Sequence, residues 1–239
     1  MKLLSVLLCM VLFGLWNWTT TETYAEFPDN LRGQIINRTT DVPLLNSLEV
    51  TLKFHEVNGE PISLKHETVN GVFIFSNLPE NSSSGYLLEA EFADVSYSLK
   101  ISPPLPDELV TLDVFETSGD ISILSVIEST LVVTPGDPRK RILNMMSVVR
   151  VENDSNRTFL SSLADASPMN LLRFRLPKGA HNLDVQSFLE GGHLVQVDLG
   201  FGLTTPIPPG QHDILFTYFT PYEGGSWTFN ESFPLGADV

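Results

Sequence analysis

The sequence predicts an all-β protein built from two antiparallel β-sandwiches in tandem, behind an export signal. Three observations lead to this fold class. Apolar and polar residues alternate with a period of two, as over 47–55 and 109–115, which is the pattern of strands with one buried face. Gly-containing pairs such as Asn70-Gly71 and Gly191-Gly192 separate apolar runs, and such pairs favour hairpin turns. A helical period is nearly absent, apart from one or two turns expected over 159–166.

The N-terminal segment has the composition of a secretory signal. Lys2 precedes the unbroken apolar stretch 3–16, and a polar run then leads to a small residue, Ala25. We expect cleavage between Ala25 and Glu26, so that 1–25 is a signal peptide. An uncleaved anchor is the alternative, but the apolar stretch has 14 residues, whereas a bilayer requires about 20. After cleavage we expect no membrane span, because no later apolar run approaches that length.

Composition limits the compartment and the partners of the mature chain. The full sequence has 239 residues, 42% of them apolar, and a formal net charge of −15. This charge argues against nucleic acids and anionic lipid surfaces as partners. The one cysteine, Cys9, lies in the signal, so the mature protein has no disulfides and depends on an ordinary hydrophobic core. We therefore expect an extracytoplasmic protein (periplasmic, cell-surface or secreted), of bacterial origin rather than an animal extracellular domain.

The alternating segments form two sets, which define the predicted domains. The first set is 31–36, 47–56, 61–69, 72–76, 86–93, 95–101 and 108–116. The second set is 121–134, 141–153, 157–162, 171–176, 182–189, 193–199, 211–220 and 226–233. We therefore assign 26–116 to the first sandwich, 117–120 to a short linker and 121–239 to the second sandwich, which are ordinary sizes for such domains.

The first unit carries motifs that are similar to those of a known family. The order of motifs is L-R-G-Q-I-I-N at Leu31–Asn37, V-T-L at 50–52, N-G-V-F-I-F-S-N-L-P at 70–79 and Y-L-L-E-A at 86–90. This order resembles the carboxypeptidase regulatory-like domain, a transthyretin-like β-sandwich. The resemblance implies a Greek-key, immunoglobulin- or transthyretin-like fold and a non-catalytic accessory role, and relatives of this sandwich class include starch-binding modules.

Single residues within these motifs have clear structural roles. Gly71 permits a tight turn, Phe73 and Phe75 are expected to fill the core, and Pro79 ends the segment. The sequence departs from the family pattern at Ile35, where valine is usual, and at Asn70, where aspartate is common.

The second unit resembles the β-rich region that follows such a module in some bacterial envelope proteins of unknown function. The similar segments are 176–180, 198–201, 208–210 and 218–222. Those proteins often continue to a membrane anchor, whereas this sequence ends soon after the predicted strand 226–233, which suggests a shortened version.

Three histidines of the second unit, His181, His193 and His212, each follow a glycine by one or two positions. Imidazoles at the starts of neighbouring strands can converge on zinc or copper. No fixed ligand spacing supports such a site, and we interpret the three as the first polar residues of strands. We therefore predict no metal and no other cofactor.

Catalytic motifs are absent from the sequence. It contains no G-x-S-x-G elbow, no phosphate-binding glycine loop, no dinucleotide fingerprint and no calcium-binding loop. We expect no enzymatic activity. After the expected signal peptide, five N-x-Ser/Thr triplets begin at Asn37, Asn81, Asn153, Asn156 and Asn230. They would be glycosylation acceptors in a eukaryote, and in a bacterium we interpret them as polar turns.

The densest aromatic stretch contains the candidate ligand-binding residues Tyr218, Tyr222 and Trp227. Exposed Tyr and Trp rings stack on sugars, but alternating aromatics in a strand also form sandwich cores. The leading hypothesis is a non-enzymatic structural or interaction protein of the envelope, whose sheet edges and loops contact another protein. The alternative is a carbohydrate-binding module with an aromatic platform near Trp227. The partner is accordingly an envelope protein or a glycan.

Overall fold

The computed structural model describes residues 30–56, 59–79, 82–161, 170–187, 189–197 and 199–223. Over these ranges the chain is all-β, with several antiparallel sheets and one short 3-10 turn at Ile121–Ile123. The predicted all-β class is confirmed. No helix within these ranges has the length and apolar character needed to cross a membrane. The expected signal cleavage site at Ala25 and Glu26 lies outside the described residues, and so does the predicted strand 226–233.

The first unit contains eight strands in two sheets. They are β1 (Leu31–Asn37), β2 (Val42–Pro43), β3 (Glu49–Glu56), β4 (Pro61–Glu67), β5 (Val72–Phe75), β6 (Ser82–Phe92), β7 (Val95–Ile101) and β8 (Val110–Val114). In one sheet β1 pairs with β5 and β2 in antiparallel fashion and with β8 in parallel. The other sheet is antiparallel, in the order β4-β3-β6-β7. One hydrophobic cluster joins buried side chains from both sheets.

The buried side chains of β3 and β5 are those that the alternating sequence pattern predicts. Val50, Leu52 and Phe54 of β3 are buried, and so are Phe73 and Phe75 of β5. Each set occupies every second position, because successive side chains leave opposite faces of a strand.

The predicted turn between β4 and β5 is also confirmed. Asn70 and Gly71 both have positive φ, at 52° and 76°, as a two-residue hairpin turn requires. A Cβ on Gly71 would lie 2.6 Å from the carbonyl oxygen of Leu44, so glycine is required here for close packing as well.

The described part of the second unit contains nine strands. They are β9 (Thr117–Ser118), β10 (Leu124–Pro135), β11 (Ile142–Asn153), β12 (Thr158–Phe159), β13 (Leu172–Arg175), β14 (His181–Ser187), β15 (Leu194–Val197), β16 (Gly200–Leu203) and β17 (Gly210–Pro221). The order β10-β11-β17-β14 forms a long antiparallel sheet, and β13-β16-β15 forms a short one. A separate hydrophobic cluster, which includes Phe174, Phe201 and Phe216, joins the two sheets.

The structure differs from the predicted strands of the second unit at three places. The predicted strand 193–199 corresponds to β15, and the chain then turns back to form a further strand, β16, which pairs with β15 and which the sequence did not predict. Two of the four residues of β16 are glycines, so its sequence does not show the alternating pattern of a strand. Gly200 is required there, because a Cβ at this position would lie 2.0 Å from the carbonyl oxygen of Phe174.

The strand predicted at 157–162 shortens to β12, and a 3-10 turn replaces the start of the strand predicted at 121–134. Phe159, the first residue of the expected helical turns, is a strand residue, and 162–166 are outside the described ranges.

The segment expected as a linker is hydrogen-bonded to the second unit. Residues Thr117–Ser118, as β9, pair in parallel with β12. The amide of Thr158 donates to the carbonyl of Glu116 at 2.9 Å, and the amide of Leu160 donates to Ser118 at 2.9 Å. Since Glu116 is the last residue assigned to the first unit, its backbone hydrogen bond with Thr158 joins the two units in addition to the chain itself.

Side chains extend this junction on both sides. The hydroxyl of Thr39 donates to the carbonyl of Asn156 at 2.7 Å, and the side-chain amide of Asn156 donates back to the carbonyl of Thr39 at 3.1 Å. The buried Tyr97 hydroxyl donates to the carbonyl of Phe115 at 2.9 Å and lies 2.8 Å from the hydroxyl of Thr158. Burial raises the pKa of Tyr97 above its ordinary value.

Candidate functional site

An exposed apolar patch surrounds the turn between β4 and β5. It consists of Leu45, Val69, Val72 and Ile74, which are 73%, 70%, 42% and 49% exposed. Val69 and Val72 pair across the turn, and Val72 and Ile74 alternate with the buried phenylalanines of β5, so three of the four share one face. Leu45 follows Leu44, whose backbone packs against Gly71. Adjoining exposed apolar residues of this kind are typical of interaction surfaces.

Strand β5, which carries this patch, is an edge strand. Over the described ranges it pairs with β1 on one side; on its other side Val72 is hydrogen-bonded to Val69 across the turn, and 73–75 pair with no strand. Its sequence, Val-Phe-Ile-Phe, contains no charged residue and no proline. The neighbouring edge strand β4 instead carries Pro61, Lys65 and Glu67 at exposed positions. Charges and proline are the usual protection of a sheet edge against pairing with another chain. The edge at β5 has no such protection.

A second feature is a cleft of about 570 Å³ on the β4-β3-β6-β7 sheet. The register across these strands places Ser63, Lys53, Leu87 and Lys100 in one row. Ser63, Lys53 and Lys100 are exposed on the face away from the core, and Leu87 is half-buried among them. Apolar groups, including those of Ile62, make up most of the remaining lining. The cleft thus combines an apolar floor with two lysine side chains.

The aromatic residues predicted to bind sugar are not brought together over the described ranges. Tyr218 is 2% exposed, and its ring stacks on Phe216 with the centroids 6.1 Å apart. Its ring is therefore part of the core and offers no face to a sugar. Tyr222 is half-buried, and its amide donates to the carbonyl of Arg141 at 2.9 Å. Trp227 lies outside the described residues, so the predicted platform there stays a prediction.

The structure places two of the three candidate metal ligands far apart. His181 pairs with Phe219 of β17, whereas His212 lies seven residues earlier on that strand. At about 3.3 Å per residue this separates them by roughly 23 Å. One ring nitrogen of each histidine lies within hydrogen-bond distance of a nearby backbone carbonyl. Nδ1 of His181 lies 3.1 Å from the carbonyl of Gly179, and Nε2 of His212 lies 2.8 Å from that of Pro208.

His193, the third candidate, is exposed, and its backbone amide donates to the hydroxyl of Thr204 at 2.7 Å. It precedes β15, in the short sheet, whereas the other two histidines belong to the long sheet. No group of three potential metal ligands occurs in the part of the chain that the structure describes.

Besides Asn156 at the junction, two asparagines of the N-x-Ser/Thr triplets have structural roles. Asn37 is buried and donates to a carboxylate oxygen of Glu116 at 2.9 Å. Asn153 is buried and donates to the carbonyls of Arg157 and Ile207, both at 2.8 Å. The side-chain amides of both asparagines are therefore hydrogen-bonded inside the fold, at the ends of β1 and β11.

No family model matches the chain, and no curated protein matches it.

Sequence reasoning did not find the patch or the cleft. The outward positions of Val72 and Ile74 follow from alternation, but their exposure depends on what covers that face. The lysines of the cleft are 47 positions apart in the sequence, and only the pairing register brings them into one row.

Proposed function

We propose that this chain is a non-enzymatic structural or interaction protein of the extracytoplasmic space, which contacts a partner protein through β5. The observation that carries the proposal is the unprotected edge of β5 beside the exposed patch of Leu45, Val69, Val72 and Ile74. Unpaired backbone groups on an edge supply hydrogen bonds, and exposed apolar side chains supply burial. The resemblance of the first unit to carboxypeptidase regulatory-like domains supports the same non-catalytic role.

The edge favours a partner segment in extended conformation. An added strand would pair with the backbone of β5 around Ile74, beyond the Val69–Val72 pair, and align its own outward side chains with Ile74 and the adjoining Val72, because paired strands share the same alternation. Arg32 and Gln34 of β1 lie beside those two residues on the same face. The partner strand is therefore expected to carry apolar residues at alternate positions.

Site-specific photo-cross-linking in the native envelope tests this proposal. A photoreactive phenylalanine at position 72 is expected to form an adduct with the partner, and Ile74→Lys in the same chain is expected to abolish that adduct.

Val132 is a matched control, because it is 39% exposed on β10, an edge strand of the long sheet in the second unit. Probes at position 132 should give no adduct, and Val132→Lys should leave the adduct at position 72 unchanged. Equal adducts at both positions, or an adduct that survives Ile74→Lys, would contradict the proposal. An adduct of purified protein with itself would identify a second copy as the partner.

The extracytoplasmic location rests on the N-terminal signal. Mass spectrometry of the exported protein should find the mature N-terminus near Glu26. A membrane-bound product that retains 1–25 would show that the segment is an anchor.

Glycan binding near Trp227 is the second candidate function. It rests on the aromatic stretch of the sequence and on the starch-binding relatives of this sandwich class. Trp227 is the sole tryptophan of the expected mature chain, so acrylamide quenching of fluorescence measures its exposure directly. An indole that acrylamide does not quench would remove this candidate.

A further inference from the structure

We infer that the cleft on the β4-β3-β6-β7 sheet binds a small amphipathic carboxylate, with its anionic group beside Lys100 and its apolar body along the floor. This site is separate from the β5 edge. The inference rests on the register of the sheet, on the distribution of charge around the cleft and on the chemistry of its lining.

The register fixes the two cations of the cleft. Lys53 and Lys100 each lie opposite Leu87, on the two strands that flank β6. Neighbouring strands are about 4.8 Å apart, which puts the two lysine backbones roughly 10 Å from each other. Their aliphatic stems run on the same face of the sheet, on either side of the apolar Leu87 side chain. An apolar chain that crosses Leu87 would thus have a cation at each end.

The two lysines differ in their ion pairing. The ammonium of Lys53 lies 2.5 Å from a carboxylate oxygen of Glu89. Lys100 is exposed and forms no ion pair with any described residue. In a protein with a net charge of −15, a cation without a carboxylate partner beside a cleft is complementary to an anion. At physiological salt the repulsion from more distant carboxylates is largely screened beyond about 8 Å.

The lining favours an apolar body over a sugar. Side chains of Pro61 and Leu87 and backbone around Gly85 provide mainly carbon surface, whereas Ser63 is one of the few hydroxyl groups present. Sugars require many hydrogen bonds from their site, while an alkyl or aryl chain requires only apolar area. A volume of about 570 Å³ is within the usual range for small-molecule sites.

Isothermal titration of the full mature chain with decanoate tests the inference, with decanol as the uncharged probe and glucuronate as the acidic sugar. Decanoate should bind, decanol more weakly and glucuronate not at all. Lys100→Gln should weaken decanoate binding about fivefold, the effect of a partly exposed ion pair. Leu87→Glu, which places a carboxylate between the two lysines, should abolish it.

Two matched control variants show whether decanoate binds in this cleft. Lys65→Gln removes a cation from the same face of the same sheet, where Lys65 pairs with Glu49 at 2.6 Å, and it should leave decanoate affinity unchanged. Ile74→Lys, which disrupts the β5 edge, should leave it unchanged too, so this test does not depend on the proposed partner. Absence of decanoate binding, equal affinity for decanoate and decanol, tighter binding of glucuronate, or an equal loss in Lys65→Gln would each overturn the inference.

Discussion

The hydrogen bond between Tyr97 and Thr158 predicts a measurable energetic coupling between the two units. The Tyr97 hydroxyl has two partners, the buried Thr158 hydroxyl at 2.8 Å and the half-buried carbonyl of Phe115 at 2.9 Å. Each such bond contributes about 1 kcal/mol net, and a buried group left without a partner costs more. Tyr97→Phe is therefore expected to lower the free energy of unfolding by about 2–3 kcal/mol. Thr158→Val, which removes one bond, should lower it by about 1 kcal/mol.

The double variant distinguishes a direct bond from two independent effects. If the two hydroxyls stabilise each other, Tyr97→Phe combined with Thr158→Val should cost about 1 kcal/mol less than the sum of the single variants. Urea unfolding followed by far-UV circular dichroism gives these free energies, provided that the dependence on urea concentration is the same in all four proteins. Additivity within about 0.3 kcal/mol would refute the reasoning, because pairs that do not interact are additive to that extent.

The same tyrosine predicts a loss of stability in alkali. Burial raises the pKa of Tyr97 above its ordinary value of 10.0, so the folded state holds this proton more tightly than the unfolded chain. The stabilisation is complete below pH 10 and is lost as the pH rises through the raised folded pKa. Tyr97→Phe should therefore show a smaller loss of unfolding free energy above pH 10 than the parent protein. Part of the loss should remain, because burial also raises the pKa of Tyr86. Equal losses in both proteins would contradict this assignment.

Three further predictions follow from the cores and from the second unit. Phe73→Ala should lower the free energy of unfolding by about 3–5 kcal/mol, because the ring is fully buried, and a loss below about 1 kcal/mol in urea unfolding would be inconsistent with that burial. Asn153→Asp should destabilise the protein at pH 7, since a carboxylate cannot donate to the two backbone carbonyls that Asn153 contacts; an unchanged melting temperature would count against this role. Zinc and copper should not raise the melting temperature at pH 7, because His181 and His212 are on distant parts of the sheet, and a shift that disappears in His193→Ala would show otherwise.

Local sequence patterns predicted most of the strands and failed where local signals were weak. Hydrophobic alternation identified β3 and its buried face, because the period of two is a property of the strand itself. Strand β16 was missed, since Gly200 and Gly202 provide no alternating side chains. The candidate platform residue Tyr218 is buried, because it lies two residues after Phe216 on the same strand and its side chain points into the same core.

Features that depend on pairing between distant segments could not be predicted from the sequence. The cleft depends on the register that aligns Lys53 with Lys100. The junction depends on a parallel pair between Thr117–Ser118 and Thr158–Phe159, and neither segment carries a local pattern that specifies the other. The polar composition of residues 117–120 predicts a linker, whereas two of these residues form a short strand that pairs with β12.

The parallel pairing of β1 with β8 has a consequence for mechanical force. These are the first and last strands of the first unit, and they are hydrogen-bonded from Gly33 and Val110 to Asn37 and Val114. Tension on the two ends of this unit would pull β1 toward its N-terminus and β8 toward its C-terminus. Because the strands are parallel, this tension would act as shear along the whole ladder, and its hydrogen bonds would have to break together rather than one by one. The order of strands in this unit thus gives it a geometry that resists stretching.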